Sequence, residues 1–147
     1  METRLDYPKA APALYQAMLG VEKALAAASL PKALMHLVKL RASQINGCVF
    51  CIDMHAHDAR AAGETEYKLY ALSAWRESRL FDDRERAALA WCEALTRVAD
   101  THAPDEDFRL AQSQFNDREL AELSWLIAAI NAWNRIAIGF RAQPPER

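Results

Sequence analysis

Apolar residues recur at intervals of three or four positions through most of the chain, and polar residues fill the positions between them. This spacing is typical of helices that bury one face. It predicts a first helix over residues 13–28 and a second that starts at Pro31 and ends at Gly47. The residues predicted to face inward from these two helices are Leu14, Met18, Val21, Leu25, Leu34, Leu37, Val38 and Ile45.

Start and stop signals divide the rest of the chain into five further helices. Two of the starts have the spacing of a capping box, Asp82 with Glu85 and Asn116 with Glu119. Gly63 and Pro104 mark another end and another start. The predicted helices cover residues 48–62, 65–75, 82–98, 104–115 and 116–140, and residues 143–147 form a tail.

The chain contains no alternating run convincing enough for a strand, and its abundant alanine and four glycines also favour helix. We therefore predict an all-α fold of about seven helices, with residues 1–147 forming a single domain. Residues 126–130 are apolar on nearly all sides. This indicates burial all round, either as the central helix of a monomer or against another subunit.

Charge and composition exclude several classes of protein. The net charge is −2 and the basic residues are scattered, so we expect neither a nucleic-acid-binding face nor a polybasic membrane patch. No apolar run approaches the roughly 20 residues that span a bilayer, and residues 1–6 lack the features of a secretory leader. Three cysteines, an odd number, fit a reducing compartment better than a secreted framework. We therefore expect a cytoplasmic protein.

Cys48 and Cys51 are the most informative residues of the chain. They lie at the predicted start of a helix, with His55 one turn further, so that all three fall within roughly 60° of one another. A thiol beside a proton acceptor loses its proton more readily, and the thiolate is the nucleophile. This pattern predicts a redox-active dithiol. The helix start favours Cys48 as the more acidic thiol and His55 favours Cys51, so their order stays open.

Haem attachment and structural zinc binding, two common uses of a Cys-x-x-Cys pair, have less support. Haem attachment requires histidine directly after the second cysteine, where this chain has Ile52. A structural zinc site usually takes four ligands from two separated pairs. Here His55 offers a third ligand and no fourth is evident. A metal-binding helical protein and two buried cysteines without a role are the alternatives.

Neighbouring residues of the same chemical types are assigned structural roles. Cys92 lies inside an apolar helix and is predicted to be a small buried residue rather than a resolving thiol. His57 falls on the opposite face of its helix from His55 and is predicted to be a solvated or interface residue. Asp53 and Asp58 are interpreted as first-turn and surface charges. The tryptophans are predicted to lie in the core or an interface.

Three segments together resemble one protein family. They are residues 37–55, which contain both cysteines of the pair, residues 82–91 (DDRERAALAW) and residues 130–137 (INAWNRIA). They strongly resemble the AhpD-like alkylhydroperoxidase branch of the carboxymuconolactone decarboxylase family, and the likeness covers nearly the whole chain. The resemblance implies an all-helical subunit that assembles as a trimer or hexamer. It also implies peroxide reduction by the two thiols, with no metal, flavin or haem.

The resemblance implies a role for each site residue. Cys51 matches the cysteine that attacks the peroxide, Cys48 its resolving partner, and His55 the histidine that draws the proton from Cys51. The family usually has glutamate 12 positions before the first cysteine, where this chain has His36. A neutral histidine can accept a proton but lacks a standing negative charge. We therefore predict a weaker or more pH-dependent peroxidase, unless His36 is an ordinary helix-face residue.

The expected partners are a hydroperoxide substrate and an external dithiol reductant, which the resemblance suggests is a lipoyl-bearing protein. The rival hypothesis is a non-enzymatic oligomeric redox sensor or partner-binding module with the dithiol as its switch. Lactone decarboxylation is disfavoured, because that branch of the family does not rely on a Cys-x-x-Cys pair.

Overall fold

The computed structural model describes residues 1–146, and every regular element in that range is helical, which confirms the predicted all-α fold. A 3-10 helix over Leu72–Glu77 follows the fifth α-helix directly. No helix of residues 1–146 combines the length and the apolar character needed to cross a bilayer. The α-helices of this range are α1 (Tyr7–Ala10), α2 (Pro12–Ala26), α3 (Lys32–Asn46), α4 (Val49–Ala61), α5 (Glu66–Ala71), α6 (Asp83–Thr96), α7 (Val98–Thr101), α8 (Asp105–Gln114) and α9 (Asp117–Phe140).

Side-chain caps fix the starts of α6 and α9. Both predicted capping boxes form, Asp82 with Glu85 at the start of α6 and Asn116 with Glu119 at the start of α9. Each box satisfies backbone N–H groups that the first turn of a helix leaves without partners.

The main differences from the prediction lie in three helical segments. The helix predicted over residues 65–75 is α5 followed by the 3-10 helix, inside which Ala74 leaves helical geometry. The helix predicted to reach Val98 ends at Thr96, and α7 begins separately. The short α1 was not predicted; the Asp6 side chain caps it by accepting a backbone N–H group.

Helices α3, α6 and α9 contribute most of the buried core, and the dithiol lies within it. One apolar cluster joins side chains of these helices to Cys48 and Cys51, and a smaller cluster lies between α3, α6 and the 3-10 helix. Residues 126–130 are buried as predicted, except that Ala128 is exposed. The predicted assembly into a trimer or hexamer stays a prediction.

The predicted inner face of α2 is partly wrong. Leu25 is buried, but Leu14 is 73% exposed. Helix α2 instead turns Tyr15, Leu19 and Glu22 toward a cavity. Because Glu22 is charged, this stripe lacks the regular apolar spacing by which a buried helix face is recognised in a sequence.

A tight turn between α3 and α4 positions the dithiol. Gly47 ends α3 with φ of +73°, a left-handed conformation that glycine adopts without strain. The N–H group of Cys48 then donates to the carbonyl of Ser43 at 3.0 Å. Cys48 is the N-cap of α4, and its sulfur accepts the N–H group of Cys51 at 3.4 Å. This turn therefore places both sulfur atoms at the head of α4.

Candidate functional site

The two thiols of the predicted site are buried side by side. Cys48 and Cys51 are each 1% exposed and both carry free thiols. Their side chains hydrogen-bond to each other in addition to the N–H···S bond of the first helical turn. His55 follows one turn later on α4 and is 5% exposed. The structure thus brings together the three residues that the sequence placed on one stripe.

Negative charge is stabilised on Cys48. The Cys51 thiol donates to it, and backbone N–H groups at the start of α4 and the Asn134 side chain add further hydrogen bonds. Together they outweigh burial and lower the pKa of Cys48 to about 7. The hydrogen bond to Cys48, burial and the charge on Cys48 raise the pKa of Cys51 well above its ordinary value. At neutral pH the pair therefore carries part of one negative charge, mainly on Cys48, while Cys51 keeps its proton.

A network of buried amides holds Asn134 beside the sulfur atoms. Asn134 on α9 is fully buried, donates to Ser43 Oγ at 3.0 Å and accepts from Asn46 Nδ2 at 2.8 Å. Asn46 Nδ2 also donates to Asn131 Oδ1 at 2.9 Å. Buried amides are costly unless they are hydrogen-bonded, so these contacts fix the amide orientation. The sequence signal for this network was two asparagines in α9, a long and largely apolar helix, and sequence reasoning gave them no role.

A cavity of about 440 Å³ is lined by residues of α1, α2, α3, α4 and α9. Its volume suits a small organic molecule. Among the described residues Cys51 lines it, whereas Cys48 does not. The apolar lining residues are Tyr7, Tyr15, Leu19, Ala26, Met35, Phe50, Met54, Trp133 and Ala137, and the polar ones are Glu22, Lys32, His36, Lys39, His55 and Asp58.

His36 and His55 both line this cavity, with ring centroids 6.0 Å apart. Burial lowers the pKa of His55 to about 3. The positive charges of Lys39 and of protonated His36 also lower it. Burial also lowers the pKa of His36, against the attraction of the Asp58 carboxylate. That carboxylate lies 3.4 Å from His55 Nδ1, but its side chain is 44% exposed and water screens its charge. Both imidazoles are therefore neutral at pH 7.

Two acidic residues in the cavity have partners that the sequence did not reveal. Asp58 was interpreted as a surface charge, yet it lies beside both cavity histidines. Glu22 accepts hydrogen bonds from Lys39 Nζ at 2.5 Å and from Trp133 Nε1 at 3.1 Å. Lys39 is only 6% exposed, so this ion pair offsets a buried positive charge.

Cys92 and His57 lie outside the cavity lining, in agreement with their structural interpretation. Cys92 is fully buried, burial raises its pKa to about 12, and its thiol donates to the Val38 carbonyl at 3.5 Å. His57 is exposed, and its Nδ1 lies 2.8 Å from the carbonyl oxygen of Asp53.

Comparison with known proteins gives the family of the chain. Residues 12–94 match the model of the carboxymuconolactone decarboxylase family. The uncharacterised protein YdfG of Bacillus subtilis is 38% identical over 138 residues, which cover 94% of this chain and 94% of YdfG.

Solved structures show the same fold. A protein of unknown function from Agrobacterium tumefaciens, suggested to be the antioxidant defence protein AhpD, has a TM-score of 0.97 and 43% identity. The match covers 99% of this chain and 100% of that one. The debrominase Bmp8 shares the fold with a TM-score of 0.82 at 24% identity, over 91% of this chain and 72% of its own. The chain therefore belongs to the carboxymuconolactone decarboxylase family, in its AhpD-like branch.

Proposed function

We propose that the protein is a thiol-dependent peroxidase that reduces hydroperoxides through a Cys48–Cys51 dithiol/disulfide cycle. The observation that carries the proposal is the buried dithiol at the head of α4, where Cys51 lines a cavity together with His55. The hydrogen bonds that lower the pKa of Cys48 also support it. Membership of the AhpD-like branch supports peroxide reduction as the class of reaction.

Cys51 is the proposed attacking residue because the cavity reaches it. Since the charge of the pair resides mainly on Cys48, the first step is a proton shift from Cys51 to Cys48 through the hydrogen bond that joins them. The Cys51 thiolate then attacks the terminal oxygen of the peroxide. The S–O bond forms, the O–O bond breaks, and Cys51 becomes a sulfenic acid. The departing alkoxide receives the proton now held by Cys48 and leaves as the alcohol.

His55 is the proposed carrier of that proton. A neutral imidazole accepts a proton at one ring nitrogen while it donates from the other, so it relays a proton without holding a stable positive charge. The low pKa of His55 suits such a relay. It makes His55 a poor base for taking up and holding the proton of Cys51. His36 lines the same cavity and provides a second neutral imidazole.

Cys48, again a thiolate, then attacks the sulfenic sulfur of Cys51. The disulfide bond forms and hydroxide departs, which solvent protonates to water. An external dithiol reduces the disulfide by exchange and is itself oxidised. We propose a lipoyl-type dithiol for this step and a cytoplasmic trimer or hexamer as the functional form.

A steady-state peroxidase assay with cumene hydroperoxide and dihydrolipoamide tests the proposal. We expect turnover by the wild type, none by Cys51→Ser, and a single turnover by Cys48→Ser that is slower than the first turnover of the wild type, because serine cannot take the proton of Cys51. Cys92→Ser is the matched control and keeps the wild-type rate, because that thiol lies outside the cavity lining. Steady-state turnover in both site variants would overturn the mechanism. Poor wild-type turnover together with a change of assembly size on oxidation would overturn it in favour of a redox sensor.

A further inference from the structure

We propose that His36, His55 and Asp58 form a binding site for a divalent transition-metal ion of the Zn²⁺ or Co²⁺ class on the wall of the cavity. Two imidazoles and one carboxylate are a donor set that such ions accept, and three protein ligands leave coordination positions open. This inference goes beyond the peroxidase cycle and competes with it for His55, because a ring nitrogen that binds an ion cannot accept a proton.

The three donor groups already lie close together. One ligand atom from each of the three residues lies within 4.8 Å of the other two. Asp58 Oδ2 is 3.4 Å from His55 Nδ1 and 3.8 Å from His36 Nδ1. Donor atoms around a tetrahedral zinc ion are about 3.3 Å apart, because each lies roughly 2.0–2.1 Å from the metal. Small side-chain rotations therefore suffice to bring the three donors onto one ion.

The two imidazoles each present a buried nitrogen without a hydrogen-bond partner. Within residues 1–146, neither His36 Nδ1 nor His55 Nδ1 makes a hydrogen bond, although both atoms are shielded from solvent. Such atoms are uncommon in folded proteins, and a bound ion would give them a partner. His55 is 5% exposed, so bulk water has little access to its ring. One metal ion would satisfy both nitrogens.

Two packed helices hold the three donors near one another, and the surrounding charges are compatible with a bound cation. His55 and Asp58 are three residues apart on α4 and so share one face of that helix, while His36 comes from α3, which packs against it. The positive charge of Lys39, which lines the same cavity, is offset by its ion pair with Glu22. The carboxylate of Asp58 supplies the negative charge at the site. All three donors line the cavity, so the open coordination positions are accessible to water or a ligand oxygen.

Calorimetric titration with Zn²⁺ tests the site in protein whose Cys48 and Cys51 are both replaced by serine, which removes the competing thiolates. We expect one Zn²⁺ per chain. Adding His55→Gln or Asp58→Asn to that protein should weaken binding at least about tenfold. His57→Gln is the matched control, since His57 is an exposed histidine beside Asp53 on the same helix, and it should leave the affinity unchanged. Absence of binding, or equal binding by all variants, would overturn the proposal.

Co²⁺ absorption of the reduced wild-type protein gives a second readout. At one equivalent we expect the spectrum of a nitrogen- and oxygen-ligated ion. An intense thiolate-to-cobalt charge-transfer band would place the ion on the cysteines and overturn the proposal. Both readouts measure binding rather than peroxide turnover. The metal site and the peroxidase cycle can therefore fail independently of each other.

Discussion

Replacement of His55 by glutamine tests whether burial holds this imidazole neutral, with stability against pH as the readout. In the folded protein the pKa of His55 is lowered from 6.5 to about 3. Between these two values the unfolded chain binds a proton that the folded protein does not bind, so acid favours unfolding. The neutral imidazole therefore contributes its full stability above about pH 6.5 and loses it progressively as the pH falls toward 3.

The expected magnitude follows from the linkage between proton binding and folding. At about pH 5 the His55 of the unfolded chain is mostly protonated and that of the folded protein is neutral, which costs about 2 kcal/mol relative to about pH 7.5. Urea unfolding at the two pH values measures this loss, with the thiols kept reduced and a chelator present so that metal ions do not compete for the ring. Wild-type protein should lose about 2 kcal/mol more than His55→Gln between the two conditions.

The matched control is His57→Gln, which removes an exposed histidine from the same helix and should follow the wild-type pH dependence. Parallel losses of stability in wild type and His55→Gln would refute the reasoning. They would mean that the folded protein accommodates a protonated His55 at little cost, and the neutral-imidazole relay would lose its basis.

Three further predictions concern the thiol, the cavity and the core. Asn134→Ala should raise the pH at which the Cys48 thiolate forms, measured by alkylation rate, because it removes a hydrogen bond to that sulfur. His36→Glu should increase the steady-state peroxidase rate by adding a carboxylate to the cavity, and no gain would contradict the relay. Glu93→Gln should destabilise the protein by about 3 kcal/mol in urea unfolding, because the carboxylate is 7% exposed and accepts from two arginines and a tryptophan. Unchanged stability of Glu93→Gln would contradict a stabilising role for this buried carboxylate.

Features set by neighbouring residues were predictable from the sequence. Capping boxes, the glycine turn at Gly47 and the Cys48–Cys51–His55 stripe each depend on residues within about two helical turns of one another. Periodicity therefore indicated the long helices and the position of the dithiol. The unpredicted break at Ala74 depends instead on packing around the 3-10 helix, whose Leu72 and Trp75 are buried in the smaller core cluster.

The cavity was not predictable in the same way, because its residues are distant in the chain. Glu22, Lys39 and Trp133 meet only when α2, α3 and α9 pack together, and a charged residue on an otherwise apolar stripe hides the inward face of α2. Asp58 has the sequence pattern of a surface charge. It lies beside His36 only because α3 packs against α4, which the sequence does not reveal. The acidity of Cys48 likewise depends partly on an amide from α9.

Reaction of the reduced protein with one equivalent of cumene hydroperoxide, followed by mass spectrometry of its peptides, tests the central claim most directly. We expect the wild type to form a Cys48–Cys51 disulfide and Cys48→Ser to accumulate a trappable sulfenic acid on Cys51, while Cys51→Ser does not react at this site. A wild-type protein that keeps both thiols reduced, or a Cys51→Ser variant that forms sulfenic acid on Cys48, would contradict the account.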